Sequence, residues 1–170
     1  MIDMKRIILL TVMLLSVTIA FAQEGKNIYN KYSGSKDVSA VYISPTMFRM
    51  IGNLPDLNVE IAEGETMNLA PLIKTFKGFY LLDISDKFLI TSINKDISDM
   101  MKNGRYELLM EIKDEEDIVQ ILITGNDKII ESFVFRAIDG DTLQFICIDG
   151  AMERSEIEKL MSSAMKGAQM

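Results

Sequence analysis

Carboxylates are the only abundant side chains in this sequence that can hold a hard metal ion or move protons near neutral pH. The chain has 25 Asp and Glu residues, one cysteine and no histidine. Without imidazole there is no base for a Ser-His-Asp or Cys-His nucleophile and no histidine-based zinc site. Two carboxylate groups are dense enough to consider: Asp114-Glu115-Glu116-Asp117 and Asp139-Gly140-Asp141. A calcium loop needs oxygen ligands at alternate positions over about twelve residues, and neither group continues in that way. Asp-Gly between two apolar runs is instead a tight-hairpin signal, and the four-acid run reads as a solvated turn. Paired carboxylates alone can hydrolyse glycosides, so a carboxylate-dependent hydrolase stands as one alternative. Against it, the acids gather in turns and on polar helix faces, no pair stands at a strand end in apolar surroundings, and Trp is absent. No catalytic residue, metal ligand or cofactor site is expected.

The softer ligands give the same answer. Cys147 shares its alternation with Leu143 and Phe145, as a small buried hydrophobe does. A reactive thiol needs solvent and a nearby cation. Met47 with Met50, and Met161 with Met165, pair at helical spacing. Thioethers bind Cu(I), but such pairs more often fill irregular core gaps. Arg49 falls on the polar side of its helix and reads as a solvated charge.

Lys5 and Arg6 precede an apolar run, Ile7 to Ile19, broken only by Thr11, Ser16 and Thr18. Ala20-Phe21-Ala22 then leads to Gln23. A positive end, a short apolar run and small residues at −3 and −1 form a cleavable secretory signal, with Ala20, Ala22 and Gln23 marking the cut. The run is shorter than the roughly 20 residues of a membrane span, and nothing after Gln23 approaches one. Residues 23–170 are therefore expected as one exported, periplasmic domain. Without a cysteine at its start it is not a lipoprotein. The formal net charge of −7 becomes −8 when Lys5, Arg6 and Asp3 leave with the leader. An acidic chain with no basic run argues against nucleic acid, which is bound through clustered Lys and Arg, and against an anionic membrane surface. One cysteine allows no internal disulfide, so the domain rests on its apolar core.

Those residues are positioned by a recognisable series of elements. Residues 27–32 suggest a short helix, and 38–43 (VSAVYI) a β-branched strand. Ser44-Pro45 then supplies an N-cap and a first-turn proline for a helix carrying Met47, Phe48, Met50, Ile51 and Leu54. Residues 55–67 show no strong period and read as a loop. A helix over 69–77, stopped at Gly78, precedes an apolar strand at 79–84. Ser85 would cap a helix with Phe88, Leu89, Ile93, Ile97, Met100 and Met101 inward, ending at Asn103-Gly104. Strands at 105–113, 118–124, 129–138 and 142–148 follow, then a helix over 153–166. Helical crossovers early and hairpins late predict one α+β domain, its mixed β-sheet ending in an antiparallel meander with helices packed on it.

Several stretches resemble one family. The leader ending in AFAQ, KYSGSKDVSAVYISPTMFRM, GRYELLMEIKDEEDIVQILI and the closing CIDGAMERSEIEKLM are similar to the exported Bacteroidota domain of unknown function numbered 4252. The resemblance covers nearly all of the chain after the leader. It implies an exported domain of this size and no activity. Some members look like lipoproteins, from which this sequence departs. Their association with extracytoplasmic-function sigma-factor genes implies a link to envelope stress signalling.

One pattern points to interaction. Leu109, Ile118, Leu122, Val134, Ile146 and Ile148 are read as lining a second apolar face of the meander. Either helices cover both faces, or this one is open to an envelope partner or a second copy of the chain. The reading is a non-enzymatic binding domain, with a structural homo-oligomer as a further alternative.

Overall fold

The computed structural model describes residues 24–54, 58–62, 65–115 and 117–167. Helix α1 (Glu24–Tyr32) leads into strand β1 (Val38–Ile43). At the Ser44-Pro45 joint the Ser44 Oγ accepts the Met47 N–H at 3.3 Å, and Pro45 opens helix α2 (Pro45–Ile51). The cap meets an otherwise orphaned amide, and proline loses nothing at a position with no partner for its nitrogen.

The next segment differs from the expected loop. It holds a two-stranded hairpin, β2 (Asn58–Ala62) and β3 (Glu65–Asn68). Asn and Glu have weak strand preference, so the pairing itself stabilises these strands. Helix α3 (Ala70–Lys74) is shorter than expected, and β4 (Phe76–Ile84) begins two residues later. Gly78 lies inside β4, where the Tyr80 ring leaves no space for a Cβ. Helix α4 (Lys87–Lys102) is capped by Asp86 rather than Ser85, its carboxylate accepting the Leu89 N–H at 2.8 Å. Ile93, Ile97 and Met100 are buried on α4, whereas Phe88 is 78% exposed. Five residues of helix turn through about 500°, which sets Phe88 well away from the Ile93 face. Strands β5 (Glu107–Asp114), β6 (Asp117–Gly125), β7 (Ile129–Asp139) and β8 (Thr142–Glu153) form the meander, and helix α5 (Arg154–Gly167) closes the chain. Gly140, at φ 53°, provides the left-handed residue of the Asp-Gly-Asp turn.

The six-stranded sheet runs β1-β4-β8-β7-β6-β5. The α+β class, the C-terminal meander and the packed helices are as the sequence implies. Strand direction corrects the mixed sheet, because every neighbouring pair is antiparallel. The helical connections do not join neighbours in parallel. Helix α4 carries the chain from β4 to the far edge at β5, and the meander then walks back until β8 meets β4.

The main core lies on one face of the sheet. Tyr80, Leu82 and Ile84 of β4, Leu143, Phe145 and Cys147 of β8, Val134 of β7 and Leu122 of β6 pack with Ile28 and Tyr32 of α1 and Ile93, Ile97 and Met100 of α4. A smaller cluster, Leu72, Ile123, Ile130 and Met152, gathers Phe76, Leu109, Phe133, Ile148, Ile157 and Leu160 around it. Among the described residues no helix is long and apolar enough to cross a membrane.

Candidate functional site

Side chains directly opposite one another in adjacent strands point to the same face. The register therefore assigns every strand residue to a side. On the first face the row Tyr42, Tyr80, Cys147, Val134, Leu122 and Leu108 crosses all six strands. One residue along, on the second face, lies Val41, Leu81, Ile146, Phe135, Ile121 and Met110. All six of these are apolar, and none belongs to either packed cluster. Val41 is 45% exposed and the other five are half-buried.

This row divides the second face. On one side, Ile43, Phe79, Ile148, Phe133 and Ile123 lead toward α3 and α5, where Leu72, Ile157 and Leu160 cover the sheet. On the other side lie Ser39, Asp83, Gln144, Ala137, Val119 and Ile112, the last 53% exposed. Beyond them, with the same alternation, come Asp139, Asp117 and Asp114 at the strand ends. With Asp83 these give the open strip an acidic border, and neither row contains a Lys or Arg. The two hairpin turns at this border are tied together, the Gly140 N–H donating to Asp117 Oδ1 at 3.1 Å. Asp114, Glu115, Asp117, Asp139 and Gly140 line a shallow concavity there, and all five are exposed.

The residues expected on one second face are divided by the structure. Ile146 and Ile148 lie on it, and Leu109 sits at a bulge beside α5. Leu122 and Val134 are fully buried on the first face, and Ile118 is on that side too, in register with Ile138. Val119, Ile121, Phe133 and Phe135 take their places. Buried polar residues explain the slip. Gln120, Ser132, Arg136 and Asp149 all lie on the core side, so the usual sign that polar means outside inverts here. Register alone carries the distinction.

These buried polar groups meet most of their needs internally. Arg136 Nη1 donates to Gln120 Oε1 at 2.7 Å, and Gln120 Nε2 donates to Glu111 Oε2. Burial pulls the Arg136 pKa down, with Glu111 acting against it. The Ser132 hydroxyl lies 3.4 Å from Cys147 Sγ, which donates to Asp149 Oδ1 at 3.4 Å. Burial pushes the Cys147 thiol pKa well up, helped by the Asp149 charge, and burial also raises Asp149. Gly25 of α1 packs directly on the sulfur, and a Cβ there would overlap it. A covered, protonated thiol is not a nucleophile.

The other sequence candidates separate in space. Met47 and Met50 are exposed on α2, at 49% and 64%, and Arg49 Nη2 donates to Thr46 Oγ1 at 2.9 Å. Met161 lines a cleft between α5 and the sheet together with Leu109, Ile123 and Ile157. Among the described residues no three His, Cys, Asp or Glu side chains are placed to share a metal ion. Ala20, Ala22 and Gln23 lie outside the described residues, as do Glu116 and the side chain of Met165.

The family described as Domain of unknown function (DUF4252) matches residues 32–160. The chain belongs to that family. The DUF4252 match runs from the end of α1 into α5, so it takes in both faces of the six-stranded sheet. No curated protein and no solved structure matches the chain.

Proposed function

We propose that this DUF4252 protein is a non-enzymatic binding domain of the cell envelope that works through the open strip on the second face of its sheet. One observation carries the reading: an apolar row crosses six strands while lying outside both packed clusters. Isolated exposed hydrophobes are ordinary, but a contiguous apolar strip on a folded domain marks a place of contact. The leader-like residues 5–23 support export into the envelope. The burial of Cys147, the chain's one thiol, supports a role other than cysteine nucleophilic catalysis.

Two measurements test the proposal. Intact mass of the protein recovered from the periplasm is expected to begin at Gln23; an uncut chain in the cytoplasm overturns the export half. An environment-sensitive apolar dye is expected to bind the folded protein, and Phe135→Glu is expected to remove that signal while the circular dichroism spectrum is kept. Dye binding that survives Phe135→Glu places the apolar contact elsewhere and overturns the strip as the site.

A further inference from the structure

The open strip has a size, a polarity and a border, and together they select one kind of occupant. Six strands at ~4.8 Å spacing give the row a length of about 24 Å. Successive rows on one face lie ~6.7 Å apart along the strands, so the apolar row and its outer neighbour offer a track roughly as wide as one helix, ~10 Å across. At 1.5 Å per residue, a helix of about 16 residues spans the length. The covered half of the face, under Leu72, Ile157 and Leu160, forms one wall of this track. The opposite border is acidic, with Asp114, Asp117 and Asp139 on the same side of the sheet as the apolar row, and Asp83 stands within the outer row itself.

We infer that the strip takes a basic amphipathic helix of a partner protein, resting on the proposal that this face is the binding surface. Its apolar stripe lies along Val41, Leu81, Ile146, Phe135, Ile121 and Met110, and its Lys and Arg residues meet the acidic border. The polarity follows from complementarity, since an acidic helix would set like charge against like at close range. A second copy of this chain is disfavoured on the same ground, because its net charge is −7 and its own border is acidic. The recognition mode is an amphipathic helix read through an apolar stripe at i, i+3, i+4 and i+7.

The test uses residues 23–170 and two labelled synthetic peptides of 16 residues with Leu at helical spacing. The polar positions are Lys in one and Glu in the other. Fluorescence anisotropy is read against protein concentration, and sedimentation gives the protein mass. The expected result is binding of the Lys peptide, with the Glu peptide weaker by at least ~10-fold. Phe135→Glu discriminates docking from bulk attraction, because it makes the protein more acidic. Docking predicts that it loses the Lys peptide, whereas attraction by net charge alone predicts equal or tighter binding. That second result overturns both this inference and the face it rests on. Equal binding of both peptides, abolished by Phe135→Glu, overturns the basic partner and leaves the face as the site. A doubled mass that Phe135→Glu returns to monomer makes a second copy the occupant and overturns the inference. Failure of both peptides to bind a monomeric, folded protein overturns it as well. Asp83→Lys combined with Asp139→Lys is expected to weaken the Lys peptide and flatten its salt dependence; unchanged binding refutes the role of the border.

Discussion

Ile121 and Leu122 are adjacent in β6, yet they point to opposite faces of the sheet, and this makes them a sharp test of the architecture. Leu122 is fully buried in the main core, while Ile121 is half-buried and outside both clusters. The same replacement, threonine, keeps a β-compatible side chain at either site. Leu122→Thr removes buried methyl groups, leaves a cavity and places a hydroxyl where no water reaches it. Core truncations cost ~2–5 kcal/mol, and an unmet buried hydroxyl adds about 1–3 kcal/mol, so a loss near 4 kcal/mol is expected. Ile121→Thr surrenders only part of a side-chain transfer free energy that would be ~1.5–3 kcal/mol if burial were complete, so its loss should stay at or below about 1 kcal/mol. With a urea m-value of ~2 kcal/mol/M, Leu122→Thr lowers the unfolding midpoint by about 2 M and Ile121→Thr by about 0.5 M or less. Urea titrations of residues 23–170, followed by far-UV circular dichroism with m-values compared, read both shifts. Losses equal to within about 0.5 kcal/mol, at unchanged m, would mean that both faces are sealed, and the open strip would be refuted.

The buried polar cluster gives the remaining predictions. Burial raises the Asp149 pKa above its unfolded value of ~3.9, so its favourable contribution is complete below that value and is lost as pH rises through the raised folded pKa. Asp149→Asn should therefore be more stable relative to wild type at about pH 8 than at about pH 4 in paired urea titrations; an equal difference at both pH values would refute the shift. Gly25→Ala drives a methyl group into Cys147 Sγ and should cost roughly 1–3 kcal/mol as an overpacking change. In a Cys147→Ala background the same substitution should cost far less, and a double-mutant cycle without coupling would show that α1 does not press on the thiol. Because Cys147 is sealed and its thiol pKa is pushed up, a thiol reagent should label the chain only once urea unfolds it; rapid labelling of the native protein would contradict the covered site.

Local signals carried much of the fold into the sequence. Ser44-Pro45 marks a strand-to-helix joint, Asp139-Gly140 a hairpin, and Ile93, Ile97 and Met100 the inner stripe of α4. Each depends on residues within a turn or two of one another, so nearest neighbours are enough to reveal it. The hairpin of β2 and β3 was hidden because its Asn and Glu residues favour strands only when a partner strand is present. The strand order was hidden because nothing local states that α4 delivers the chain to the far edge of the sheet. Of the residues the sequence suggested for the candidate site, only Ile146 lies in the open row; Ile148 shares its face but is covered near α3 and α5, while Leu122 and Val134 belong to the core.

Composition and local pattern by themselves determined which chemistry is open to this protein, its α+β class and the location of most elements, because those properties depend on residue type and short-range periodicity. Only the tertiary structure decided which side of the meander faces inward. Strands β6, β7 and β8 are apolar on both alternations, and their polar residues Gln120, Ser132, Arg136 and Asp149 are drawn inside by partners that lie elsewhere in the sheet. The inward side is chosen by where α1 and α4 come to rest, a long-range outcome of packing. What those helices leave uncovered is the surface on which the proposed function stands.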